Sequence, residues 1–235
     1  MIHINKPQWH NIKDNVTPVV PKNDWYTIKN EVDSTVVHIY NEIGGWGITA
    51  DDFVSDLNNV TQGSLDVRIN SKGGDVFDGI AIFNALRQHP AYVTTKVDAL
   101  AASIASVIAQ AGDERIMVQH SQMMIHDAHG VCVGGSEDMA SFSDLLEKQS
   151  NLIAELYASR SGGNASEFRA LMSQESWLTA EEAVEVGLAD RVVKPADMAP
   201  KNSVMVTEMQ EEVAEPANWV SVFANAINHP LEGFV

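Results

Sequence analysis

The chain is poor in cysteine, in basic residues and in long apolar runs, and each shortage narrows what it can be. Its one cysteine, Cys132, excludes an intramolecular disulfide and a cysteine-based zinc cluster, so packing has to supply stability. Cys132 itself fits a small half-buried strand residue better than a nucleophile. Lys and Arg number 15 against 32 Asp and Glu, a formal net charge of −17 over 235 residues. Nucleic acid and anionic membrane are therefore not expected as main partners, since both need clustered cations to neutralise phosphate. Most acidic residues are dispersed and solvate helix faces, with a denser group at Glu208–Glu215. No apolar stretch reaches the length of a membrane span, and the polar N-terminus lacks the charged-then-apolar plan of a signal peptide, so a soluble cytoplasmic protein is expected. No His, Asp or Glu group has metal-ligand spacing, and no metal or other cofactor is expected.

What is present is an apolar content of 45%, enough for a substantial core in one large domain. Strand and helix patterns alternate. Val36–Tyr40 reads as a strand, and Thr49 with Asp52 opens a helix with Phe53, Val54 and Leu57 on one face. Leu65–Ile69 is a second strand, followed by Asn70-Ser-Lys-Gly-Gly-Asp75, read as a paired-glycine turn. Val76, Ile80, Phe83 and Leu86 recur at helical spacing until His89-Pro90 stops them. Tyr92–Val97 is a strand, a small-residue helix carries Ser103, and Arg115–Val118 and Met123–His126 are short strands. This order implies right-handed crossovers and a mostly parallel α/β sheet. From Ser136 to about Arg160 one apolar stripe runs through Met139, Phe142, Leu145, Leu146, Leu152, Ile153, Leu156 and Tyr157. Such a helix either lies on its own core or projects to meet another subunit. Ala165–Met172 makes a short helix, and Thr179-Ala-Glu-Glu182 starts one that Gly187 closes. Beyond Pro195 the pattern fades into a tail or docking segment. The expected division is a 1–35 extension, a 36–193 domain and a 194–235 acidic tail.

Ser103 is the most informative residue. Alone it fits a packing role, but an upstream glycine pair and the downstream His126 supply the other parts of a serine hydrolase. Asn70-Ser-Lys-Gly-Gly, Ala101-Ala-Ser103, Met124-Ile-His126 and Trp177-Leu-Thr-Ala-Glu-Glu-Ala-Val-Glu-Val-Gly-Leu-Ala-Asp190 stand in the order and approximate spacing of the ClpP-type serine peptidases. The resemblance runs from about Val36 to Val193. The segment from Trp25 to Gly47, with Ile39-Tyr-Asn-Glu-Ile-Gly-Gly-Trp-Gly47, is more similar to the phage and prophage branch, the ClpP-like head maturation proteases.

The resemblance implies a ClpP/crotonase-like fold, with Ser103 as acyl-forming nucleophile and His126 as general base. It places oxyanion donors at the backbone N–H groups of Gly73 and Ile104, with Gly74 shaping the same turn. The third triad position holds Glu175 where the family usually has aspartate, and a solvated loop acid is its other reading. Asp127 ranks lower because it would point to the opposite side of a strand, and Asp113 stays open. Ser106, one turn from Ser103, is the reserve nucleophile, and His129 reads as a surface residue in a turn.

The same resemblance implies ring-shaped homo-oligomers, heptamers among them, with Ser136–Arg160 as the handle between rings. Gly130–Gly135 would line the peptide by β-addition. Substrates would be proteins or peptides, and in the phage branch scaffold and capsid precursors inside an assembling prohead. Two rivals stand beside this: an acyl-CoA enzyme of the crotonase type, and a non-catalytic assembly protein.

Overall fold

A computed structural model describes residues 25–30, 34–44, 49–60 and 63–194. The expected acidic tail, and Gly45–Gly47 of the segment likened to the phage branch, lie outside them. The elements are β1 (Tyr26–Asn30), β2 (Thr35–Ile43), α1 (Ala50–Asn58), β3 (Ser64–Gly74), α2 (Val76–Gln88), β4 (Tyr92–Ala102) and α3 (Ile104–Ala109). There follow β5 (Glu114–Val118), β6 (Gln122–Ile125), α4 (Ser136–Ser161), α5 (Ala165–Ser173), β7 (Ser176–Thr179), α6 (Ala180–Glu185) and β8 (Arg191–Val193). Among the described residues five pairings are parallel, and only β1 with β2 and β6 with β7 run antiparallel, giving the α/β sheet the alternating pattern requires.

β3 and the first parts of β2 and β4 alternate strictly. In β3, Leu65, Val67, Ile69 and Ser71 are buried, while Asp66 and Arg68 take the other face. There Asp66 pairs with Lys96 at 3.2 Å and Arg68 with Asp98, each reaching two residues along β4 from its register partner, so opposite charges meet diagonally across the strands. The apolar face is covered by Phe53 and Leu57 of α1, Ile82 and Leu86 of α2, and all of α3. Asp75 caps α2 by accepting from Phe77 N at 2.8 Å and Asp78 N at 3.0 Å. Thr179 and Glu182 form the expected capping box, with bonds of 3.2 and 2.8 Å.

The strand ends depart from expectation. Asn70–Gly74 is no turn: β3 continues through both glycines, paired with Glu42 and Ile43 of β2. A Cβ on Gly74 would lie 1.9 Å from the Ile43 carbonyl oxygen, so the close approach of β2 requires glycine there. Likewise β4 runs on through Asp98–Ala102, and α3 starts only at Ile104. β1 belongs to the sheet although it falls within the stretch read as an extension. β4 forks. Its first half, Thr94–Val97, pairs with β5, and its last residues, Leu100–Ala102, pair with β6.

α4 spans 26 residues, about 39 Å at 1.5 Å per residue. Its buried residues are Ser150, Ile153, Ala154 and Tyr157, all in the second half. Met139 and Leu145 are exposed, so the first half projects and its stripe is uncovered in the single chain. Gly130–Gly135 forms no strand within the chain, with Val131 and Val133 exposed. Among the described residues no helix is long and apolar enough to cross a membrane, and no group of three His, Cys, Asp or Glu side chains is placed to hold a metal.

Candidate active site

The fork of β4 builds the site. Ala102 and Met124 are register partners, so Ser103 leaves the end of β4 beside the last residue of β6, Ile125, after which His126 follows. Ser103 N–H donates to the Met124 carbonyl at 2.9 Å, and Ser103 Oγ stands 2.8 Å from His126 Nε2. That is the distance at which an imidazole can take a hydroxyl proton.

Ser103 occupies a sharp strand-to-helix corner with φ 55° and ψ −131°. A non-glycine residue in this region costs on the order of 1–3 kcal/mol and persists only when its surroundings hold it. Here they do: the Met124 carbonyl takes its N–H, and its own carbonyl accepts from Ser106 N at 3.0 Å and from Ser106 Oγ. Ser106 is fully buried, with its hydroxyl also 2.7 Å from Tyr157 Oη. It braces the corner and is closed to substrate, which removes it as a nucleophile. Burial raises the Tyr157 phenol well above its ordinary range, so it stays neutral under the site.

The two expected oxyanion donors differ. Ile104 is the first residue of α3, and its N–H belongs to the amides at a helix start that have no acceptor inside the helix. The Gly73 N–H is already committed, donating to Ser71 Oγ at 3.1 Å, while the buried Ser71 hydroxyl donates to the Asn41 carbonyl. What Gly73 supplies here is room. At φ +98° its missing Cβ would sit 2.7 Å from Ser103 Cβ and 2.8 Å from the Ala102 carbonyl.

Three candidate acids separate. Glu175 lies just beyond the β6–β7 ladder, in which Ile125 faces Ser176, so its backbone is beside His126 as expected. Its carboxylate is not bonded to the imidazole, because Oε1 accepts from Trp177 Nε1 at 3.3 Å from a left-handed backbone with φ 51°. Asp127 pairs with Arg169, which also holds Glu147 at 3.0 Å. Asp113 sits at the opposite end of β4, accepting from Val93 N at 2.9 Å and Arg87 at 3.0 Å.

His129 was missed. It lines the same cleft of about 330 Å³ as Ser103, His126, Glu175 and Tyr157, and its Nδ1 is 3.2 Å from His126 Nδ1. The one available signal was its position three residues after His126 in a chain segment that turns. Burial, then the His129 charge, lowers the His126 pKa, with Glu175 and Asp127 opposing more weakly. A lowered value keeps the imidazole neutral and able to accept a proton near neutral pH. Cys132 is half-buried on the segment leading to α4 and lines no part of this cleft.

A strained serine at a strand–helix corner, bonded to a histidine on the neighbouring strand, agrees with comparison to known sequences, in which the Clp protease family matches residues 22–196. The chain belongs to the Clp protease family. Curated relatives named as ATP-dependent Clp protease proteolytic subunits include one from Chlorella vulgaris, 35% identical over 130 residues, covering 54% of this chain and 65% of that protein. Another, subunit 1 of Protochlamydia amoebophila, is 34% identical over 129 residues, covering 53% of this chain and 63% of its own. Subunit 3 of Rhodococcus jostii is 33% identical over 135 residues, covering 56% and 67%. The matches thus span 63–67% of the length of these Clp protease relatives.

Proposed function

We propose that the chain is a serine endopeptidase in which Ser103 attacks the scissile carbonyl and His126 accepts its proton. The observation that carries this reading is the 2.8 Å contact between Ser103 Oγ and His126 Nε2 at a strained corner. Attack forms the bond from Oγ to the carbonyl carbon, and the proton moves to Nε2. The protonated imidazole then gives that proton to the leaving amine, and water repeats the sequence to release the acyl group. Ile104 N–H is one oxyanion donor. Gly73 N–H becomes the second on exchanging the Ser71 hydroxyl for the oxyanion. An acyl-CoA enzyme on this fold would have no need of the serine–histidine contact.

The projecting half of α4 and the exposed Val131 and Val133 suit assembly into rings, with Gly130–Gly135 gaining a strand partner from substrate or a neighbouring copy. Within the family we favour the head maturation branch, whose substrates are capsid and scaffold precursors, on the likeness of the segment from Trp25 to Gly47. The test is cleavage. Co-expressed candidate capsid and scaffold proteins should be cut by the wild type and left whole by Ser103→Ala. Equal intactness with both would sink the peptidase reading, and cutting of unfolded proteins alone, dependent on an ATP-driven unfoldase, would replace the phage role with a housekeeping one.

A further inference from the structure

His126 has two ring nitrogens and only one is spoken for by Ser103. To accept the serine proton, Nε2 must carry a lone pair, which puts the neutral ring's own proton on Nδ1. That N–H points to a partner 3.2 Å away, and the partner is Nδ1 of His129. The rings are tilted at 48° with centroids 4.7 Å apart, so this is an edge contact through nitrogens and not a stack.

The position of His129 is built by its neighbours. Asp127 is drawn to Arg169 of α5. Ala128 N–H donates at 2.9 Å to Ser150 Oγ, which is buried in α4 and itself donates to the Leu146 carbonyl at 2.9 Å. With these two residues tied to separate helices, the chain turns His129 back over His126 on the cleft side. Glu175, the remaining acid, is bonded to Trp177 and influences the imidazole only through its charge.

Resting on the hydrolase reading above, we propose that His129 is the positioning residue of His126, taking the Nδ1–H bond that a carboxylate takes in a Ser-His-acid triad. Neutral His129 accepts that bond at Nδ1 and keeps its own proton on Nε2. When Ser103 attacks, its proton goes to His126 Nε2, and the imidazolium formed is held by the same Nδ1–H···N bond, now charge-assisted. The proton then leaves with the amine and His129 is unchanged. Glu175 and Asp127 add long-range stabilisation of the cation without touching it.

The experiment compares fluorophosphonate modification of Ser103 in the full-length wild type, His129→Leu, His129→Asn and Glu175→Gln, with the ring ¹⁵N spectrum of His126 recorded for each. Asparagine places a carbonyl oxygen near the site of the lost nitrogen. His129→Leu should slow labelling by about tenfold or more, His129→Asn should stay within about threefold of wild type, and Glu175→Gln should cost about threefold or less. The neutral His126 ring should be the Nδ1–H tautomer in wild type and His129→Asn and gain the Nε2–H form in His129→Leu, a change that altered folding alone would not reverse with asparagine. Unchanged labelling and tautomer in His129→Leu, or a larger loss in Glu175→Gln than in His129→Leu, overturns the inference and leaves the hydrolase reading intact. A wild-type chain that takes no label at Ser103 overturns the hydrolase reading, and this inference with it.

Discussion

The Ser103 N–H closes the β4–β6 ladder on the Met124 carbonyl at 2.9 Å, and that bond holds the Ser103 corner against the strand that leads to His126. The corner's φ of 55° is strain held by the fold.

Removing the strain and the hydroxyl together should separate stability from function. Ser103→Gly relaxes the left-handed backbone and should raise stability by about 1 kcal/mol, whereas Ser103→Ala keeps the strain and should not. Both abolish labelling. Thermal unfolding of the two variants side by side is the measurement, and equal midpoints would contradict the strain assignment.

The acid side of the rate profile follows from His126. Its pKa is lowered first by burial, with any positive charge on His129 adding to the lowering, and the neutral ring is the active form, so activity persists to lower pH than an ordinary histidine allows. The acidic limb of kcat/KM should fall below about 6.5. Glu175 raises the value, so Glu175→Gln should move the limb further to acid. The linked effect on stability has the same origin: as pH falls below the ordinary histidine value, the unfolded chain takes up the proton first and the fold is weakened. A limb at or above the ordinary value, or a shift to alkali in Glu175→Gln, would contradict this account.

Gly73 and Gly162 both have positive φ but should respond differently to alanine. At Gly73 the new Cβ meets Ser103 Cβ at 2.7 Å and the Ala102 carbonyl at 2.8 Å, while at Gly162, the end of α4, nothing lies within 4 Å. Gly73→Ala should cost about 2 kcal/mol or more and slow labelling by at least about tenfold. Gly162→Ala should cost only about 1 kcal/mol of backbone strain, with labelling unchanged. Denaturant melts and labelling rates on both variants check it.

Ser150 joins α4 to the loop after the base. Ser150→Ala leaves the Ala128 N–H without its 2.9 Å acceptor, which should cost about 1–3 kcal/mol. Because the same bond turns His129 toward His126, labelling at Ser103 should slow as well. A stability loss with an unchanged labelling rate would show that the loop keeps its shape without this anchor.

Much of this was legible in sequence because β3 and the first parts of β2 and β4 alternate cleanly. Leu65-Asp-Val-Arg-Ile69 declares a half-buried strand, and Thr179 with Glu182 declares a helix start through local side-chain bonds. Gly73-Gly74 misled, since paired glycines signal a turn, whereas here Gly74 lets β2 lie close against β3 and Gly73 leaves room for Ser103 and the Ala102 carbonyl. β7 and β8 are too short, at 4 and 3 residues, to show a period of their own. Ser103 and His126 could be named from their motifs, but the partner of His126 could not. The left-handed backbone at Glu175, the pull of Trp177 on its carboxylate and the two anchors that turn His129 inward are tertiary facts with no local pattern.

The forked partnering of β4 has one more consequence. Since Ser103 and His126 each follow the last residue of adjacent parallel strands, their separation is set by the interstrand repeat of about 4.8 Å and not by the conformation of a loop. Loops lengthen, shorten and change composition freely, but a ladder spacing has almost no freedom. The group behind His126 can therefore change between carboxylate and imidazole while Ser103 and His126 keep their spacing, as teeth cut on one rack keep their pitch whatever is mounted beside them.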